Sequence, residues 1–190
     1  MPIPTENILD NQVNSNSNAP YKKNVGALIT LISIFFFWGF VAASNDILIP
    51  VFKKALDLSQ LESQLISFAF YVAYTVGSIL YFVISGLMKK DILNAIGYRN
   101  GLAVGLVISA VGTLMFIPAS NNASFILLIS GLFIVGLGFS LQQIAANPLA
   151  IQMGDPAKGN IRLSLAGGIN NVGTTIGPII VSFAILMVLN

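Results

Sequence analysis

The stretch FFFWGFVAASNDILIPVF, residues 35–52, decides how the rest of the chain is read. It opens almost wholly apolar, sets Asn45 and Asp46 side by side, then turns apolar again through Pro50. A carboxylate in such a run is costly unless it has work to do, and the run is too long for an ordinary core strand. Composition extends the same reading outward. Of the 190 residues, 55% are hydrophobic and only 8% are charged, whereas soluble domains carry about 25% charged residues. There is too little charge here to cover a water-facing surface, and a mean hydropathy of +0.84 agrees. The chain reads as an all-α integral membrane protein. It has no cysteine and no histidine, which excludes disulfide staples, Cys/His zinc sites, thiol nucleophiles and histidine-based triads.

From Val25 onward five apolar segments follow, at about 25–52, 61–88, 101–119, 124–153 and 163–189. Each approaches the roughly 20 residues that cross a bilayer, and backbone groups in lipid must satisfy one another, so each is a helix. The breaks are KKALDLSQ, MKKDILNAIGYRN, PASNNAS and GDPAKGN. Residues 1–24 are polar, rich in Asn and Ser and without periodicity, which predicts a disordered tail ahead of a transmembrane domain over 25–190. VAAS at 41–44 could mimic a signal-peptidase site, but the preceding tail is too long and acidic and four more spans follow. Seven basic residues, Lys22, Lys23, Lys89, Lys90, Arg99, Lys158 and Arg162, fall on one side; Lys53 and Lys54 fall on the other. The positive-inside rule then makes the tail cytoplasmic. The net charge of +2 reflects this topology and not a nucleic-acid partner.

The sequence echoes itself. TVGSIL at 75–80 recurs as TIGPII at 175–180, and GF at 39–40 with Pro50 recurs as GF at 138–139 with Pro148. A three-helix repeat whose units start on opposite membrane faces is the inverted-repeat logic of secondary transporters. The third segment should then recur near 201–219, so the chain is expected to be one helix short of a six-helix half.

Polar residues gather on faces spaced by threes and fours. Gly39, Ala42, Ala43, Asp46 and Pro50 share one face of the first segment, which should turn Asp46 into a bundle; an intramembrane carboxylate is a functional candidate, and the bland alternative is a hydrated residue near the outer interface. Gly136, Ser140, Gln143, Asn147 and Gly154 line a face of the fourth, with Gln142 on the neighbouring face. Their amides supply both donors and acceptors, as sugar hydroxyls require, although interhelical hydrogen bonding is the competing use. Asn170 and Thr174 share a face of the fifth. Tyr71, Tyr74, Thr75 and Ser78 stripe the second, as a sugar platform or as packing. Gly101, Gly105, Ser109 and Gly112 on the third read as packing, as does the lone Trp38. Paired intramembrane carboxylates, metal-ligand sets and nucleophile–base pairs are absent from the sequence, so an enzyme is not expected and no cofactor is.

SNDILIPVF (44–52), AFYVAYTVGSI (69–79), LQQIAANPL (141–149) and RLSLAGGINNVGTTIGP (162–178) together resemble the fucose–galactose–glucose symporter family of the major facilitator superfamily. The resemblance implies five of the six helices of one major-facilitator half, a monosaccharide substrate, the bilayer and a missing C-terminal half as partners, and a bacterial cytoplasmic (inner) membrane location. It implies a cation-coupling role for Asp46 and sugar contacts from Asn147 and Asn170; Gln143, Asn45 and Tyr74 complete the candidate set. Gln143 stands where fucose members carry a glutamate. An amide cannot titrate, so sodium coupling, or coupling through Asp46 alone, becomes the expectation, with glucose, galactose or an amino sugar preferred to fucose. Gly167 stands where the family often has glutamine, and DILNA (91–95) reads as an insertion. The alternative expectation is a small membrane subunit that assembles as a pore or accessory protein.

Overall fold

The computed structural model describes residues 25–88 and 91–189; the expected tail at 1–24 and the basic pair Lys89–Lys90 lie outside the described residues. The elements are helices: α1 (Val25–Ala55), α2 (Gln60–Leu87), the short α3 (Ile92–Ile96), α4 (Tyr98–Leu114), the short α5 (Phe116–Asn121), α6 (Phe125–Gln152) and α7 (Gly159–Leu189), the last entered through a 3-10 turn at Pro156–Lys158. Five helical stretches are long and apolar enough to cross a membrane, α4 and α5 counting as one.

Local chemistry sets the helix ends. Ser59 and Glu62 form a capping box on α2, each side chain bonding the other's backbone N–H, which satisfies two orphan donors at that terminus. Ser124 caps α6 and Asp91 caps α3. The third span is broken where hydropathy alone reads one segment. Pro118 has no N–H for the Leu114 carbonyl four residues back, and α4 stops at Leu114 before α5 restarts. The apparent insertion DILNA folds as α3. Its Leu93 is 1% exposed and seats in the core, and Gly97, at φ 86°, makes the turn into α4 that a side chain would strain.

The bundle is organised around α6. Half of its apolar window is buried, against 11–22% in the other four spans, because it packs on α4 along one side and α2 along another. The small-residue ridge of α4 permits that contact: a methyl at Gly105 would stand 2.9 Å from the Gly138 carbonyl, and one at Gly138 would stand 2.7 Å from the Gly105 carbonyl. The other extensive pair is α1 with α7. Here Gly39 abuts the Asn170 carbonyl and Gly173 abuts that of Phe36.

These two pairs are related. In the α2–α6 seam Gly77 faces Ser140 and Gly136 faces the Phe70 carbonyl; in the α1–α7 seam Gly177 faces Ser44 and Gly39 faces the Asn170 carbonyl. Positions 77 and 177, like 70 and 170, lie 100 residues apart, matching the echo of TVGSIL in TIGPII. Between α1 and α6, however, the packing equivalents 39 and 136 lie 97 apart, and 44 and 140 lie 96 apart. The offsets of 99 and 98 taken from the GF and Pro echoes are therefore corrected by a fraction of a turn, because interhelical packing and not residue identity fixes the register.

Candidate functional site

Four helices converge on a cleft of about 230 Å³. α1 contributes Trp38, Gly39 and Ala42; α2 contributes Phe70, Tyr71 and Tyr74; α6 contributes Phe139 and Gln143; α7 contributes Asn170 and Thr174. Its apolar wall is aromatic. Trp38 lies 4.6 Å from Phe35 and 6.5 Å from Phe139 between ring centroids, and Phe70 meets Phe139 edge-on at 5.5 Å. The cleft is smaller than the roughly 300–1,000 Å³ typical of drug-sized sites, which suits a single small ring.

Of the residues singled out by sequence, Tyr74, Gln143 and Asn170 come together here. The Tyr74 hydroxyl donates to Gln143 Oε1 at 2.8 Å. With that oxygen engaged, the Gln143 amide N–H₂ is the group left to address a ligand. Asn170 Nδ2 donates to the Phe35 carbonyl at 2.8 Å, so Asn170 presents its carbonyl oxygen as an acceptor. The close approach of α1 and α7 at Gly39 makes this bond possible. The cleft therefore pairs at least one donor with one acceptor, set against aromatic faces.

The remaining candidates lie elsewhere. Asn147 is one turn beyond Gln143 and does not line the cleft. Asn45 lines a separate, mainly apolar cavity of about 320 Å³ with Phe40, Leu48 and Leu132. Asp46 sits one turn beyond Ala42 on the cleft-lining face of α1, but its side chain is exposed and not enclosed by the bundle as the small-residue face had suggested. Its described partner is the Ser67 hydroxyl of α2, which donates at 3.5 Å, a long and weak contact.

The residue that the sequence reading set on a neighbouring face and left out of the candidate set is Gln142. It is 1% exposed. Its Oε1 accepts from Trp38 Nε1 at 2.7 Å, and its Nε2 donates to the Gly105 carbonyl at 3.0 Å and to Ser109 Oγ at 2.7 Å. One amide thus ties α1, α4 and α6 together and holds Trp38 at the cleft wall. The two adjacent glutamines divide the two uses that the sequence left open: Gln142 joins helices and Gln143 faces the cleft. The glycine ridge of α4 was the available signal, since a backbone brought that close leaves a helical carbonyl within reach of a second donor.

Arg162 organises the far end of α6. Its guanidinium donates to the carbonyls of Ala150 at 2.9 Å and Asp155 at 3.0 Å, and also to that of Ile151. The carbonyls of Ala150 and Ile151 lie in the last turn of α6, where carbonyls lack helical partners and donors satisfy them, while that of Asp155 also accepts the Lys158 N–H.

A family model of the Major Facilitator Superfamily matches residues 26–188. The chain belongs to that superfamily. Among its superfamily relatives, the glucose/galactose transporter of Brucella abortus is 36% identical over 184 residues, which is 97% of this chain and 42% of that protein. The L-fucose-proton symporter of Escherichia coli is 35% identical over 149 residues, 78% of this chain and 32% of that protein. A crystal structure of the E. coli fucose:proton symporter superposes with a TM-score of 0.68 at 30% identity, covering 87% of this chain and 38% of that one. The chain thus spans about two fifths of the length of the B. abortus transporter it matches. As a multi-pass superfamily member it is a membrane protein whose relatives are transporters.

Proposed function

We propose that this five-helix unit is the N-terminal part of a cation-coupled monosaccharide transporter working by alternating access. The observation that carries the proposal is the convergence of Trp38, Tyr74, Gln143 and Asn170 from four helices on one cleft, one helical turn from Asp46. A sugar ring has apolar faces and a rim of hydroxyls that donate and accept. The Trp38, Phe70 and Phe139 wall matches the faces, while the Gln143 amide and the Asn170 carbonyl match the rim. The activities of the relatives, glucose/galactose transport and fucose–proton symport, support a hexose or related amino sugar. A second helical half would close the other side of the cleft and rock against this one. The amino terminus lies inside, in a bacterial cytoplasmic membrane.

Asp46 is the coupling residue in this reading, and the ion is H⁺ or Na⁺. Gln143 cannot release a proton, so the load of coupling rests on the single carboxylate. Asn147 and Asn45 line no part of this cleft and hold sugar only after rearrangement.

The test is uptake of labelled glucose, galactose, N-acetylglucosamine and fucose into vesicles carrying the whole transporter, with and without imposed sodium and proton gradients. Gln143→Ala and Asn170→Ala should each weaken sugar binding by about tenfold, the effect of one hydrogen bond of roughly 1.4 kcal/mol. Asp46→Asn should abolish gradient-driven accumulation while leaving counterflow exchange. Wild-type accumulation that survives in Asp46→Asn would remove the carboxylate from the coupling role.

A further inference from the structure

The described ends of the first and fifth spans frame a groove that the transport reading does not use. It has a volume of about 380 Å³ and is lined by Val25 and Leu28 of α1, Met153 after α6, Lys158 of the 3-10 turn, and Ile161 and Arg162 of α7. Its chemistry is divided by depth. Val25 is the first described residue of α1 and Pro156 opens the fifth candidate span, so the groove lies at one end of both spans. Lys158 is exposed at its mouth and Arg162 is beside it, whereas Val25 and Ile161 present apolar surface, 54% and 67% exposed.

The charges at the mouth do not cancel. Asp155 also lines the groove, but its carboxylate accepts from the Ala157 N–H at 3.0 Å and caps the turn. Arg162 gives three of its five N–H donors to the carbonyls of Ala150, Ile151 and Asp155. Those bonds satisfy carbonyl dipoles without neutralising the guanidinium. Among the described residues, two cations therefore face one carboxylate over an apolar trough.

We propose that this groove is a site for an anionic phospholipid of the surrounding bilayer. Lys158 and Arg162 bind the headgroup phosphate, and an acyl chain lies along Val25, Leu28 and Ile161. Basic pockets between transmembrane helices at headgroup depth favour such lipids. A lipid seated there bridges α1 to the start of α7, at one end of the α1–α7 seam.

The experiment measures lipid retained by the purified chain after delipidation and exposure to equimolar phosphatidylglycerol and phosphatidylcholine, by native mass spectrometry. Wild type should retain phosphatidylglycerol in preference by about fivefold for each cation engaged. Lys158→Gln should lower that preference by about fivefold, and Ile161→Asn should lower retention with the charges intact. Lys54→Gln, an equal loss of charge at the opposite end of α1, should change nothing. Equal retention of the two lipids, an effect of Lys54→Gln as large as that of Lys158→Gln, or indifference to Ile161→Asn would each overturn the proposal. So would complete displacement of the lipid by millimolar inorganic phosphate, which would show that the anion alone is recognised.

Discussion

At the scale of single residues, Gln142 and Gln143 show how neighbours separate in role when a helix turns by about 100° per residue. Both were visible in the sequence as amides in an apolar span, and both uses of such amides were foreseeable. Which glutamine took which use depended on the partner each would meet. Gln142 meets the close backbone of α4, and Gln143 meets the Tyr74 hydroxyl. Replacing Gln142 by Leu strands the Trp38 indole N–H in a buried place and takes a donor from Ser109 Oγ. We expect a loss of about 1–3 kcal/mol, read as a lower unfolding temperature in detergent and as a shift in the emission of Trp38, the single tryptophan of the chain. Asp46 is the opposite case. Its position on a small-residue face was legible, but its exposure was not, because exposure depends on the elements packed around it.

Asp91 offers a residue-scale pH prediction. Its carboxylate accepts from the Tyr81 hydroxyl and from the Leu93 N–H, and the tyrosine bond above all holds its pKa below the ordinary carboxylate value. The depressed value means that the ionised form is the one the folded loop prefers. Its stabilisation is present above the ordinary carboxylate pKa of about 4 and is lost as pH falls through the lowered value. Amide exchange at Leu93 should therefore be protected at neutral pH and should lose protection below about pH 4, and Asp91→Ala should remove the protection at every pH.

At the scale of elements, five spans were legible because a bilayer demands long apolar helices and the breaks carry turn and charge chemistry. The finer divisions were not. Pro118 was readable as a helix breaker, yet hydropathy averaged over it, and the α4–α5 break appears only when its missing N–H is followed to Leu114. DILNA resembled slack chain in a loop, but it carries an N-cap at Asp91 and a core anchor at Leu93. The glycine ridge on α4 was legible as packing, and its consequence is quantitative. Gly138→Ala would push a methyl into the Gly105 carbonyl and the backbone of Ser109, so α4 and α6 must separate. The expected cost is about 1–3 kcal/mol, checked by thermal unfolding. Gly86→Ala, where a methyl meets nothing within 4 Å, should cost nothing by clash.

At the scale of the whole molecule, the two glycine seams share one arrangement, and they differ in their hydrogen bonds. In the α2–α6 seam Ser78 and Ser140 share a hydroxyl contact of 3.0 Å. The equivalent positions in the α1–α7 seam are Pro178 and Ser44. Proline has no hydroxyl to offer, and Ser44 Oγ is buried with no hydrogen-bond partner among the described residues. The sequence comparison of TVGSIL with TIGPII showed the exchange of serine for proline without showing that it orphans a residue on another helix. The α2–α6 seam thus carries a hydroxyl pair that the α1–α7 seam lacks, while the α1–α7 seam keeps the bond from Asn170 to the Phe35 carbonyl. Ser140→Ala, which removes the α2–α6 hydroxyl contact, should lower the unfolding temperature in detergent, whereas Ser44→Ala, which removes a hydroxyl with no partner among the described residues, should not. An equal loss in the two variants would mean that the Ser44 hydroxyl is as well satisfied as that of Ser140. The hydroxyl left without a described partner thus lies on α1, half a turn from Asp46.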